Sequence, residues 1–248
     1  MKNKNMRRKV FLGALFSILI AGALPARAHA AGLEINLNGS GVDTLEILET
    51  LTLLALAPTI LIMTSCFTRI VIVLSFLRNA LGLQQTPPNQ VLVGMALMLS
   101  LFIMSPIVSQ INTEAYAPYK AEQITQEEFI RRAAGPMKTF MLKQTKKEDL
   151  NLFVGLAKVE NASSAQELPI AVVIPAFVTS ELRRAFIIGF LIYIPFLIID
   201  MVVSSTLMSM GMVMLPPAMV SLPFKLLLFV LADGWGLLFK TLVSSFNM

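Results

Sequence analysis

"VLVGMALMLSLFIMSPIV", residues 91–108, contains no charged residue and lies at the centre of a longer uncharged run, 79–113. A helix needs about 20 mostly apolar residues to cross the hydrocarbon core of a bilayer. This stretch is the strongest span in the chain, and it decides the class: an all-α integral membrane protein. Composition agrees. Hydrophobic residues make up 56%, charged residues 14%, and mean hydropathy is +0.73, whereas a soluble domain carries about a quarter of its residues charged.

Upstream, Glu49 and Arg69 bracket nineteen uncharged residues, 50–68, and apolar character continues to Arg78. Between the two runs, "GLQQTPPNQ" predicts a turn, because Pro87-Pro88 cannot continue a helix and each proline forces its predecessor toward extended geometry. Residues 49–111 are therefore expected to form a hydrophobic helical hairpin.

The N-terminus reads as a secretory signal. "MKNKNMRRK" is a basic region, "VFLGALFSILIAGAL" an apolar one, and Ala28-His29-Ala30 a small-x-small pattern that places cleavage between Ala30 and Ala31. Ala26-Arg27-Ala28 is an alternative pattern, and an uncleaved first span the alternative reading. Cleavage removes Lys2, Lys4, Arg7, Arg8, Lys9 and Arg27, which leaves 14 basic against 15 acidic residues. The net charge of +5 thus belongs to the signal, and basicity gives no ground for a nucleic-acid partner. The single histidine, His29, leaves too. One cysteine remains, Cys66, so a histidine metal site, a catalytic triad and an internal disulfide are all excluded from the mature chain. Residues 31–48 form a short exported segment before the hairpin.

Residues 112–168 differ in kind, with eight basic and eight acidic residues. Thr125–Glu128 and Thr145–Glu148 fit capping boxes that would each start a helix. Gly135-Pro136 is expected to break the first of these, with Pro136 opening another. The signal places this small helical segment in the periplasm, with Arg69 and Arg78 facing the cytoplasm. Eight basic residues in an exported loop run against the positive-inside tendency, and the signal is given precedence.

Residues 169–248 are apolar but interrupted. Fifteen uncharged residues separate Arg184 from Asp200, twenty-four separate Asp200 from Lys225, and Lys225, Asp233 and Lys240 divide the rest. An ionisable group at mid-bilayer costs at least ~2.5–3.5 kcal/mol on insertion scales. Several of these segments are too short or too charged to stand alone in lipid, and pairing inside an assembly would resolve the cost. Glu181, Arg183, Arg184, Asp200, Lys225 and Asp233 are the candidates for such structural ion pairs. For Asp200 and Asp233 an ion-relay role is the alternative. An intramembrane aspartyl protease is excluded by context, since "IIDM" and "LADGWG" match neither of its marks. No G-x-x-x-x-G-K-S/T and no post-strand G-x-G-x-x-G occurs, so no nucleotide site, cofactor or enzymatic activity is indicated.

"LMSMGMVMLPPAM", residues 207–219, places Met208, Met210, Met212 and Met214 on every second position. On a helix, residues two apart point to nearly opposite sides, and in an extended loop they share one. Methionine is also ordinary filler in apolar helices, and Met208 and Met212 are i,i+4 neighbours. Gly211, Pro216-Pro217 and the period of two favour the loop. Four flexible, polarisable side chains on one edge could close a hole and yield to what passes through it.

Four strings now carry a resemblance. They are "LAPTILIMTSCFTRIVIVLSFLRNALGLQQTPPNQVLVGMAL", "PAFVTSELRRAFIIGF", "IPFLIIDMVVSSTLMSMGMVMLPP" and "LPFKLLLFVLADGW". Together they are similar to the FliP family of flagellar biosynthetic proteins over nearly the whole mature chain. Ile187 departs from it, standing where the family has a polar or charged residue. The resemblance implies about four hydrophobic helical segments or hairpins and a subunit of the type III export gate of the flagellar basal body in the bacterial inner membrane. It implies assembly with itself as a pentamer and with FliQ and FliR, with FlhA and FlhB on the cytoplasmic side and unfolded flagellar proteins as cargo. It also implies that much of the bundle is raised toward the periplasm, covered by partners, and that Met210, Met212 and Met214, with Met208 adjacent, form a pore gasket in a loop. The equivalent ring subunit of a virulence-type injectisome shares these motifs, and the signal peptide favours the flagellar form. An ion-coupled transporter using Asp200 or Asp233 is the alternative of a different class.

Overall fold

The computed structural model describes residues 48, 51–52, 55–56, 58–159, 164–212 and 214–246. The expected signal, its cleavage residues Ala28, Ala30 and Ala31, and nearly all of 31–48 lie outside them. Of the unit Met1–Leu53, only Leu48, Leu51 and Thr52 are described, all helical. The remaining described residues belong to the unit Leu54–Met248. Among the described residues there is no strand.

Residues 58–63 are helical, and the chain then breaks at 64–66 before α1, Phe67–Ala80. The uncharged run 50–68 is therefore not one continuous helix. Thr64 and Ser65 turn their hydroxyls back onto the carbonyls of Ile60 and Ile62, which competes with helical continuation. In α1 the buried Ile70, Val73, Leu74 and Leu77 follow the spacing of one helix face. The expected turn follows. The Gly82 and Leu83 N–H groups donate to the carbonyls of Asn79 and Arg78, with Gly82 at φ +78°, and Arg78 bonds Asn89 at 2.5 Å across the turn.

Helix α2 spans Asn89–Ile111, continues through a π-helical turn, Asn112–Tyr116, and ends with Ala117–Lys120. In a regular α-helix the Pro118 ring would meet the carbonyl of Glu114, which gives the wider turn its reason.

Helix α3 spans Gln126–Gln144 and α4 Lys147–Leu156. Two expectations need correction here. Gly135-Pro136 does not break α3: Pro136 is buried inside it, and Phe140 and Met141 just beyond sit in the core, Phe140 5.9 Å from the Phe177 ring. Tertiary packing outweighs the local cost of the proline. The second capping box also does not form. Thr145 donates its hydroxyl back to the Met141 carbonyl at the end of α3, and Lys146 takes the N-cap position. Thr125 does cap α3, accepting from the Glu128 N–H at 3.3 Å.

Helix α5, Ile170–Ser209, is 40 residues long and runs through Glu181, Arg183, Arg184 and Asp200 without interruption. At 1.5 Å per residue it is about 60 Å long. The charges that segmented the sequence do not segment the helix, because most of them are neutralised from the side by neighbouring elements. Helices α6, Pro217–Leu231, and α7, Gly234–Ser244, follow and meet at a 64° bend. By length and composition two stretches can cross a membrane, Asn89–Lys120 and Ile170–Ser209, and the bent pair makes a third if it acts as one span.

Candidate functional site

Met208 lies in the last turn of α5, and Met210, Met212 and Met214 lie in the connection to α6, with Val213 outside the described residues. Three of the four methionines thus lie outside the helix. The helix ends by a glycine device. The Met212 N–H donates to the Leu207 carbonyl at 3.0 Å and the Gly211 N–H to the Met208 carbonyl at 3.1 Å, with Gly211 at φ +74°. A side chain at position 211 would be strained in that conformation. Pro216 and Pro217 then open α6, where a proline's missing N–H costs nothing. All four methionine side chains are exposed in the isolated chain, Met214 at 97%.

Three polar nodes brace α5. In the first, Arg69 of α1 and Glu181 of α5 are both fully buried and share two hydrogen bonds, one of 2.8 Å from Arg69 Nε to Glu181 Oε2. Arg69 Nη1 also donates to Ser245 Oγ at 2.9 Å and to the Ser245 carbonyl at 3.0 Å, and its guanidinium lies 3.7 Å from the Phe246 ring centre. One side chain thereby joins α1, α5 and the segment after α7. The pairing is two-pronged, as a planar guanidinium allows.

In the second node, buried Asp149 of α4 accepts from Ser180 Oγ at 2.7 Å and from Arg183 Nη2 at 2.6 Å. Ser180 Oγ in turn accepts the Lys146 N–H at 3.0 Å, so it closes the start of α4. Ser180 and Arg183 are three apart and share a face of α5. Glu181 is turned about 100° from Ser180 toward α1.

In the third node, Asp200 of α5 accepts from Ser221 Oγ and from Lys225 Nζ of α6, each at 2.6 Å. Lys225 Nζ also donates to the Ala80 carbonyl, the last of α1, at 3.2 Å. A cation at a helix C-terminus is favourably placed.

Of the six residues expected to form ion pairs, the structure therefore pairs Glu181, Arg183, Asp200 and Lys225. Arg184 and Asp233 form no ion pair among the described residues. Asp233 instead sits in the bend between α6 and α7 at φ +48°, beside the first turn of α7. A Cβ at Gly236 would come within 2.3 Å of its Oδ2, so the second glycine of "DGWG" leaves room for the carboxylate. Sequence reasoning missed Arg69, Asp149, Ser180, Ser221 and Ser245 as partners. The readable signal was Ser180 to Arg184, a single polar turn inside an otherwise apolar helix.

Cys66 is fully buried, with its Sγ 3.8 Å from the Ser100 carbonyl, in keeping with an inert thiol. Among the described residues no group of three or more metal-ligating side chains occurs.

A family model described as "FliP family" matches residues 50–242. The chain is 55% identical to the flagellar biosynthetic protein FliP of Bacillus subtilis, over 82% of this chain and 92% of that one. It is 49% identical to FliP of Aquifex aeolicus, over 93% and 97% of the two chains. With FliP of Caulobacter vibrioides it shares 48% identity over 99% and 94%.

Proposed function

The chain belongs to the FliP family, and from that premise we propose that it is the pore-forming subunit of the flagellar type III export gate. In this reading it carries unfolded flagellar proteins across the inner membrane at the basal body and catalyses no reaction itself. Copies form a ring, a pentamer, joined by FliQ and FliR and served by FlhA and FlhB. The methionines of residues 208–214 meet at the ring axis and seal it at rest.

The observation that carries this reading is the connection between α5 and α6. A helix ended by Gly211 and a helix begun by Pro216-Pro217 leave between them a short segment whose methionines are exposed and touch no core of their own chain. Large exposed apolar side chains along α5, among them Phe186, Phe190 and Met201, suit contact with acyl chains or with neighbouring copies. The transporter reading finds less support, because Asp200 already accepts from both Ser221 and Lys225.

Replacing Met210, Met212 and Met214 together by Ala tests the proposal. Each change removes a flexible side chain without charge or backbone strain, so the ring should assemble and the resting complex should leak ions. Wild-type conductance in planar bilayers would overturn the seal.

A further inference from the structure

We propose that Asp200, Ser221 and Lys225 form a clamp that sets the spacing of the two arms of the methionine loop, a positioning role that rests on the gate reading above. The arms are the end of α5 and the start of α6. From Asp200 to Ser209 and from Pro217 to Lys225 they are of matched length, about 12–14 Å each. The clamp therefore sits at the same depth below the loop on both sides.

It is also the only side-chain hydrogen bonding between the arms among the described residues. Thr206 and Ser209, nearer the loop, bond only to carbonyls of their own helix. Met208 and Met219, nearer the loop than the clamp, are both exposed. Asp200 uses both carboxylate oxygens on α6, one on Ser221 and one on Lys225, and these residues are four apart on one face. Two bonds from one group to two points of a helix fix rotation as well as separation.

The third contact of Lys225, to the Ala80 carbonyl, extends the clamp to α1. Ala80 leads directly into the turn at Gly82, and a Cβ on Gly82 would stand 4.0 Å from Leu222 Cδ1, on the same arm as Lys225. The placement of the methionines is in this way tied to the first hairpin, far from them in sequence. Lys225 is buried and Asp200 half-buried, so loss of the carboxylate would leave a buried ammonium with only the Ala80 carbonyl.

The test uses the full chain in its assembled complex, with Ser209→Cys and Ala218→Cys carrying spin labels and labelled copies diluted among unlabelled ones. Cys66 is fully buried and escapes labelling. Pulsed electron resonance then reads the separation of the arms, and bilayer conductance reads the seal. Asp200→Asn and Lys225→Met should each convert a narrow distance distribution into a broad one shifted to longer distance. The exchange Asp200→Lys with Lys225→Asp should restore the narrow one. Where a charge variant does not assemble, Ser221→Ala removes one of the two bonds, and a partial broadening is expected. Unchanged distances in assembled variants would overturn the clamp, and loss of export with unchanged distances would assign Asp200 to an ion relay. Broadened distances without a leak would uphold the clamp and sink the gasket instead.

Discussion

Arg69 and Glu181 stand 112 positions apart in the chain, yet neither exposes any side-chain surface and the two share a pair of hydrogen bonds. The pair crosses from the helix after the first break to the first third of the longest helix. Ser245 and Phe246 close its remaining side. A guanidinium so enclosed has no access to water, so its stability depends on every one of these partners.

Truncating one member should therefore be severe. Arg69→Leu or Glu181→Leu leaves an uncompensated buried charge, and a loss of about 3–5 kcal/mol is expected. The double variant should recover much of that loss, since an apolar pair removes both desolvation costs. Thermal unfolding of the detergent-purified protein checks this. A double variant as unstable as the worse single one would show that the pair is not the relevant unit.

Gly189 sets how closely α1 approaches α5. A Cβ there would come within 2.6 Å of the Phe76 ring, which also stacks edge-on against Phe186 at 5.3 Å. Gly189→Ala should cost about 1–3 kcal/mol by overpacking, although alanine is the better helix former. Adding Phe76→Leu should return part of it. Equal melting temperatures for wild type and Gly189→Ala would mean that the ring moves aside freely.

Ser180 and Asp149 fasten the polar segment to α5. Asp149→Ala leaves the Ser180 hydroxyl and one Arg183 contact without their acceptor, and Ser180→Ala leaves the buried Asp149 one donor short. Each should cost about 1–3 kcal/mol. Because the loss is local to one joint, hydrogen exchange should rise first in α4, ahead of α1 and α5. Uniform acceleration across the chain would show instead that the segment and the bundle unfold as one.

Much of this architecture was legible in advance. The α2 span, the turn at Pro87-Pro88, the Thr125 cap and the loop around Gly211 all depend on local chemistry: uncharged length, missing N–H groups, a hydroxyl acceptor, a positive φ. What failed was every inference that treated a residue as having only local partners. Pro136 seemed to stop α3, and burial against Phe177 carried the helix through. Arg183 and Asp200 divide the apolar sequence, and the expected pairing is made, by Asp200 with Lys225 and by Arg183 with Asp149, a partner that local sequence does not name. Arg69 marks the end of an apolar run and is expected to face the cytoplasm, yet it is fully buried, because its partners lie more than a hundred residues away and nothing in its own neighbourhood names them.

The length of α5 has a further consequence. A rod of about 60 Å is roughly twice the depth of the acyl layer, so half of it has to stand clear of lipid wherever the protein is placed. Phe186, Phe190, Leu191 and Ile198 along its middle are more than half exposed, and in water such a surface adheres to whatever it meets. In the export-gate reading proposed above, a lone copy is therefore an orphan at risk, and its survival in the cell becomes a gauge of whether its neighbours have arrived.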